Sequence, residues 1–237
     1  MKIKLFTVPN IITLCNLLCG CGSIVASLMF CNFRLALILI VASAVCDFFD
    51  GFTARLLRQY SDIGVQLDSL ADMVSFGVAP SAMMYLFASQ TFTIFTLPDV
   101  VVNILVFVPF IMAAFSALRL AKFNIDDTQH EEFCGLPTPA NAILCVSLAM
   151  LAARDGVTVA VEWVALVSVV LAMLLISPVR MFSFKFKSLA LRENLVRYLF
   201  AAYALIVIFV LGIYALPLII VTYIVVSTLL WMFVRTK

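Results

Sequence analysis

The sequence predicts an all-α fold: a polytopic integral membrane helical bundle of about eight transmembrane helices, with residues 1–237 forming one membrane domain. Three observations predict it. First, 65% of the 237 residues are hydrophobic and only 12% are charged, against about 45–50% and about 25% in a soluble domain. One soluble core of this length cannot hide that much apolar surface, and mean hydropathy is +1.19. Second, the apolar residues fall in runs of about 20, the length a helix needs to cross a bilayer. Third, an open sheet cannot satisfy its backbone in lipid, so the runs read as helices. The composition excludes a disordered chain and a standard soluble enzyme. With 15 Lys+Arg against 13 Asp+Glu, net charge is only +2, so no nucleic-acid partner is expected.

The apolar segments are, in order, 9–30, 34–57, 65–88, 98–121, 137–154, 159–177, 195–214 and 215–235. The first follows Lys2 and Lys4 and mimics a secretory signal, but it is too long and lacks a small-x-small cleavage site. It reads as a retained span. The second and third flank a short connection near 58–63, which makes them antiparallel neighbours. The fifth and sixth are the shortest. The last two share a hinge at Tyr214-Ala215-Leu216-Pro217, which leaves seven spans as the alternative count.

With eight spans, both termini and the loops after spans two, four and six share one side. Lys2, Lys4, Arg55, Arg58, Lys122, Arg180, Lys185, Lys187, Arg192, Arg235 and Lys237 lie there, with Arg34 and Arg154 opposite. The positive-inside rule makes the rich side cytoplasmic, in an inner or cytoplasmic-type membrane. No two of the seven cysteines have CxxC spacing, and His130 sits in a charged loop. Neither a disulfide framework nor a thiolate metal site is expected. The small stretch Gly20-Cys21-Gly22-Ser23 suits close helix packing.

The informative stretch is DFFDGFTARLLRQYSDIGVQLDSLAD at 47–72, which holds five of the thirteen acids. Asp47 and Asp50 are three apart, and Asp68 and Asp72 are four apart, so each pair shares a helix face. Antiparallel helices bring the two pairs to one depth near the cytoplasmic interface. Four clustered carboxylates repel one another and are costly near lipid. Arg55 and Arg58 offset part of that, and one or two divalent cations offset it better. All-oxygen ligation suits Mg²⁺, Mn²⁺ or Ca²⁺, and Mg²⁺ usually shares its shell with substrate phosphates. A phosphate-bearing substrate follows. Gly51 and Ala54 leave room for a ligand beside the acids, Gly64 precedes Asp68 by one turn, and Arg55 offers a donor fork to phosphate or a base carbonyl. Asp62 reads as part of a turn and helix start. Helix capping, proton relay and a scaffold role are the competing readings. Two same-face pairs interleaved with Gly, Ala and Arg favour a site.

The spacing Asp47-xx-Asp50-Gly51-xx-Ala54-Arg55-x(8)-Gly64-xxx-Asp68-xxx-Asp72 resembles the complete CDP-alcohol phosphatidyltransferase signature. The segments VPNIITLCNLLCG (8–20), SFGVAPS (75–81), ALRLAKFN (117–124), GLPTPA (135–140) and SPVRMFSFKFKS (177–188) resemble the serine-using, integral-membrane branch of that family. The resemblance implies a divalent site, usually of two Mg²⁺ or Mn²⁺ ions. Asp47, Asp50 and Asp68 are its implied main ligands, and Asp72 the general base, close enough to touch metal too. It implies that Gly51, Ala54, Arg55 and Gly64, with Asp47 and Asp68, bind CDP. The implied reaction joins CDP-diacylglycerol and L-serine with release of CMP, in a homodimer among membrane lipids. Glycerol 3-phosphate or an inositol phosphate are the alternative acceptors, and a carboxylate-dependent transporter is a more distant reading. Arg119, Lys122, Asn124, Arg180, Lys185 and Lys187 border the cytoplasmic face and are candidates for serine's carboxylate or a lipid phosphate. Arg119 is the strongest, since an arginine buried at a helix end needs a partner. Asn16 is polar within the first span and either packs between helices or reaches the site.

Overall fold

The structure is a computed structural model that describes residues 5–125, 133–182 and 194–235. His130, Lys185 and Lys187 lie outside the described residues. A helix lies on each apolar segment: α1 (Val8–Leu28), α2 (Phe33–Leu56), α3 (Asp62–Asp72) running on into α4 (Ala79–Ser89), α5 (Asp99–Phe107) followed by α6 (Phe110–Ile125), α7 (Thr138–Asp155), α8 (Val161–Ile176), α9 (Leu195–Leu211) and α10 (Ala215–Arg235). Among the described residues, five stretches rather than eight qualify as spans by themselves, by length and composition. They are Val8–Leu28, Phe33–Leu56, Asp62–Ser89, Asp99–Ile125 and the 39-residue Leu195–Phe233. Helix α8 is apolar but only 16 residues long. Helix α7 has 18 residues and carries Pro139, Asn141, Arg154 and Asp155, which dilute its apolar character. The break falls just before the expected hinge, at a 3₁₀ turn, Gly212–Tyr214, with Gly212 at φ 56°, and Ala215 to Pro217 already open α10. One strand pair interrupts the all-helical pattern, Phe133–Cys134 against Arg180–Met181.

The surface is inverted relative to a soluble protein. Helix α9 buries only Phe200, and Phe209 is 91% exposed. Such faces suit lipid. The buried side of α1 is instead polar and small: Pro9, Asn10, Thr13, Asn16, Gly20, Ser23, Ala26 and Ser27. This stripe packs along α2 and against the α3–α4 rod. The apolar core around Ile40, Phe76, Met83, Met112 and Val146 holds the inner helices together.

Two local devices place the acidic helix ends. Helix α2 stops in a Schellman arrangement: Gln59 N–H donates to Ala54 O at 3.0 Å and Arg58 N–H to Arg55 O at 3.3 Å. Arg58 takes the left-handed position, φ 52°, usually held by glycine. Ser61 then caps α3, accepting from Gly64 N–H at 3.1 Å, so Asp62 opens the helix as its spacing suggested. Beyond Asp72 the rod widens into a π turn, Met73–Val78. Pro80 cannot donate to the carbonyl of Phe76 and its ring crowds it, which accounts for the widening.

Candidate active site

Three carboxylates meet where the ends of α2 and α3 converge. Asp47, Asp50 and Asp68 each offer an oxygen, and these lie within 4.8 Å of one another. Charges that close repel by at least about 3.5 kcal/mol per pair at an effective dielectric of 20. Asp68 Oδ1 is buried with no hydrogen-bond partner. A buried, unpartnered carboxylate oxygen in a cluster of hard donors fits a divalent cation.

The fourth signature aspartate, Asp72, lies within electrostatic reach of all three. It accepts at Oδ1 from Asn16 Nδ2 at 3.0 Å. Asp50 accepts at Oδ2 from Thr13 Oγ1 at 2.7 Å. Helix α1 therefore supplies a donor to one acid on α2 and to another on α3. Asn16 is itself held, because Ser43 Oγ donates to Asn16 Oδ1 and Ser75 Oγ to Asn16 O at 3.1 Å. Both alternatives for Asn16 are realised, packing between helices and reaching the site.

Beside the triad lies a cavity of about 160 Å³, lined by Asp50, Gly51, Ala54, Arg55, Gly64 and Asp68 together with Asn10 and Thr13 of α1 and the 59–61 turn. Six signature residues, from α2 and α3, thus line one cavity. A Cβ on Gly51 would meet only Arg55 Nη1, at 3.9 Å. The glycine leaves open space, not relief from a protein contact. One on Gly64 would come within 3.0 Å of Ser61 Oγ and 3.2 Å of Asn10 Oδ1.

The remaining candidates separate. Arg119 is buried in the second half of α6, with Nη1 donating to Thr138 Oγ1 at 3.3 Å and Nε unpartnered. It lies within electrostatic reach of Asp72 and lines a cleft with Lys122, Cys134 and Leu175. Asn124 is exposed and donates to Ser69 Oγ at 2.8 Å, tying α6 to α3 between Asp68 and Asp72. Arg180 is paired in the short ladder opposite Cys134. Thr13, Ser43, Ser75 and Asn10 are the residues that sequence reasoning passed over. The recurrence of Asn10, Thr13 and Asn16 at three-residue steps in an apolar helix was the available signal.

A model of the CDP-alcohol phosphatidyltransferase family matches residues 6–174, which include the whole acidic motif and α1. The chain belongs to this family. It is an integral membrane protein, and the matched residues contain its acidic helix pair. Among curated relatives of this phosphatidyltransferase, the CDP-diacylglycerol–serine O-phosphatidyltransferase of Bacillus subtilis (strain 168) is 39% identical over 141 residues, covering 60% of this chain and 74% of that protein. The protein of the same name from Helicobacter pylori (strain 26695) is 31% identical over 240 residues, covering 98% of this chain and 94% of its own. That of Methanocaldococcus jannaschii is 32% identical over 148 residues, covering 62% and 63%.

Proposed function

We propose that this chain transfers the phosphatidyl group of CDP-diacylglycerol to the hydroxyl of L-serine, giving phosphatidylserine and CMP. The observation that carries this reading is the Asp47–Asp50–Asp68 triad beside a cavity walled by Gly51, Ala54, Arg55 and Gly64. The full-length relative of that activity supports the acceptor.

Asp47, Asp50 and Asp68, with Asp72 alongside, would hold one or two Mg²⁺ or Mn²⁺ ions, whose charge offsets that of the pyrophosphate and of the leaving phosphate when bound. The cavity wall at Gly51 and Ala54 admits the nucleotide to the helix backbone, and Arg55 offers its fork to phosphate or base. Arg119 receives serine's carboxylate: one buried guanidinium matches one negative charge better than a dianionic phosphate. Asp72 takes the hydroxyl proton. The serine oxygen then bonds to the phosphorus that carries diacylglycerol, and the bond from that phosphorus to the CMP oxygen breaks. CMP leaves with that oxygen, and Asp72 returns its proton to solvent. Holding hydroxyl and carboxylate together supplies much of the acceleration. The acyl chains stay in lipid while serine and CMP exchange with the cytosol, the side of the basic loops and both termini. A homodimer is the working assembly.

Two substitutions test the roles separately. Asp72→Asn keeps CDP-diacylglycerol binding and loses turnover by about 10²–10⁴-fold. Asp50→Ala loses metal-dependent nucleotide binding. Full turnover in Asp72→Asn sinks the base assignment, and unchanged binding in Asp50→Ala sinks the ligand assignment.

A further inference from the structure

We infer that Asn16 is a positioning residue for Asp72, the α1 end of a clamp that fixes which carboxylate oxygen faces the acceptor hydroxyl. The inference rests on the reading of Asp72 as the base. Asn16 is fully buried in a helix whose other faces suit lipid. Its side-chain nitrogen donates to Asp72 Oδ1 at 3.0 Å. An amide nitrogen only donates, so this contact takes up one lone pair of Oδ1 and leaves Oδ2 the freer oxygen for the incoming proton. The amide cannot easily turn over. Ser43 on α2 donates to its oxygen, which sets that oxygen away from the carboxylate. Ser75, in the π turn three residues after Asp72, donates to the Asn16 carbonyl at 3.1 Å. Helices α1 and α2 and the α3 rod therefore meet in hydrogen bonds at Asn16, one of which reaches the Asp72 carboxylate.

The backbone is shaped for this junction. A Cβ on Gly20, one turn along α1, would lie 2.7 Å from Ser75 Cα. Only glycine lets the π turn come close enough for Ser75 to reach α1. The polar groups of the clamp are buried and mutually satisfied, and none lines the nucleotide cavity. Asn16 acts through Asp72, not on the nucleotide. A carboxylate free to rotate loses the near-attack geometry, and small misplacements of that kind cost about 10²-fold in rate.

The test measures CMP release from CDP-diacylglycerol and L-serine with Mn²⁺ present, expressed per site able to bind CDP-diacylglycerol. Asn16→Leu keeps the side-chain size and removes the donor. The expected result is kcat lower by about 10–100-fold, with KM for CDP-diacylglycerol within about twofold of the parent. A merely structural role lowers the number of binding sites and leaves kcat per site intact, and that result overturns the proposal. Ser43→Ala, which touches no acid, guards against misfolding of the first variant. It lowers kcat per site by about 3–10-fold at constant KM, by loosening the amide. Parent kcat in Ser43→Ala together with parent kcat or no folded protein in Asn16→Leu refutes the clamp. Asp72→Asn runs in parallel. If it turns over normally, the base reading has failed; if it is inactive while Asn16→Leu is normal, only the clamp has failed.

Discussion

Gly51→Ala separates a residue kept for the ligand from one kept for the fold. The added methyl would have one neighbour within 4 Å, Arg55 Nη1 at 3.9 Å, which is ordinary contact with the end of a flexible side chain. Nothing in the ligand-free protein resists it. Replacing a helical glycine by alanine is favourable by up to about 1 kcal/mol, or about 2–4 °C in Tm for a chain of this size. The same methyl enters a cavity of about 160 Å³ that Asp50 and Arg55 also line. If the nucleotide fills that space, overpacking costs about 1–3 kcal/mol, which is about 5- to 150-fold in affinity. The assay pairs thermal unfolding in detergent with KM for CDP-diacylglycerol from CMP release. The expected result is an unchanged or raised Tm with a KM raised by that factor. A parent-like KM would show that no ligand approaches this face, and a lowered Tm would show that the space is not open.

The other expectations follow from the same contacts. Gly20→Ala forces a methyl against Ser75 Cα and destabilises by about 1–3 kcal/mol, seen as a lower Tm; a parent Tm contradicts the close approach. Thr13→Val keeps shape but removes the 2.7 Å donor to Asp50, and metal-dependent nucleotide binding weakens by about tenfold, the effect of losing one charge-assisted hydrogen bond; titration with Mn²⁺ and CDP checks it, and unchanged binding contradicts it. Arg119→Gln raises KM for serine by about 10–100-fold and leaves KM for CDP-diacylglycerol unchanged, whereas equal effects on both place Arg119 elsewhere.

The parts legible in the sequence were those with a strong local signal. Apolar runs of about 20 residues located every helix among the described residues, because burial in lipid needs no tertiary partner to decide it. The acid spacing placed Asp47, Asp50 and Asp68 together, because helix periodicity and a short turn leave few other arrangements. The span count was less legible. Helix α8 has only 16 residues, and the stretch from Leu195 to Phe233 is interrupted by the 3₁₀ turn at Gly212–Tyr214. The contact of Asp72 with Asn16 was invisible, since it joins residues 56 apart in the sequence. The π turn was equally hidden, because Pro80 marks a disruption without naming its form. Helix α1 carried a readable clue in its polar stripe, but which acid each residue meets is set by how α1 packs across α2 and α3.

The most direct measurement is CMP release by the purified protein in mixed micelles of CDP-diacylglycerol with Mn²⁺ or Mg²⁺. L-Serine, glycerol 3-phosphate and an inositol phosphate are supplied one at a time, with an EDTA control. The account predicts release with serine alone, abolished by EDTA. Release with a phosphorylated acceptor and not with serine would contradict the acceptor assignment, and metal-independent release would contradict the role given to Asp47, Asp50 and Asp68.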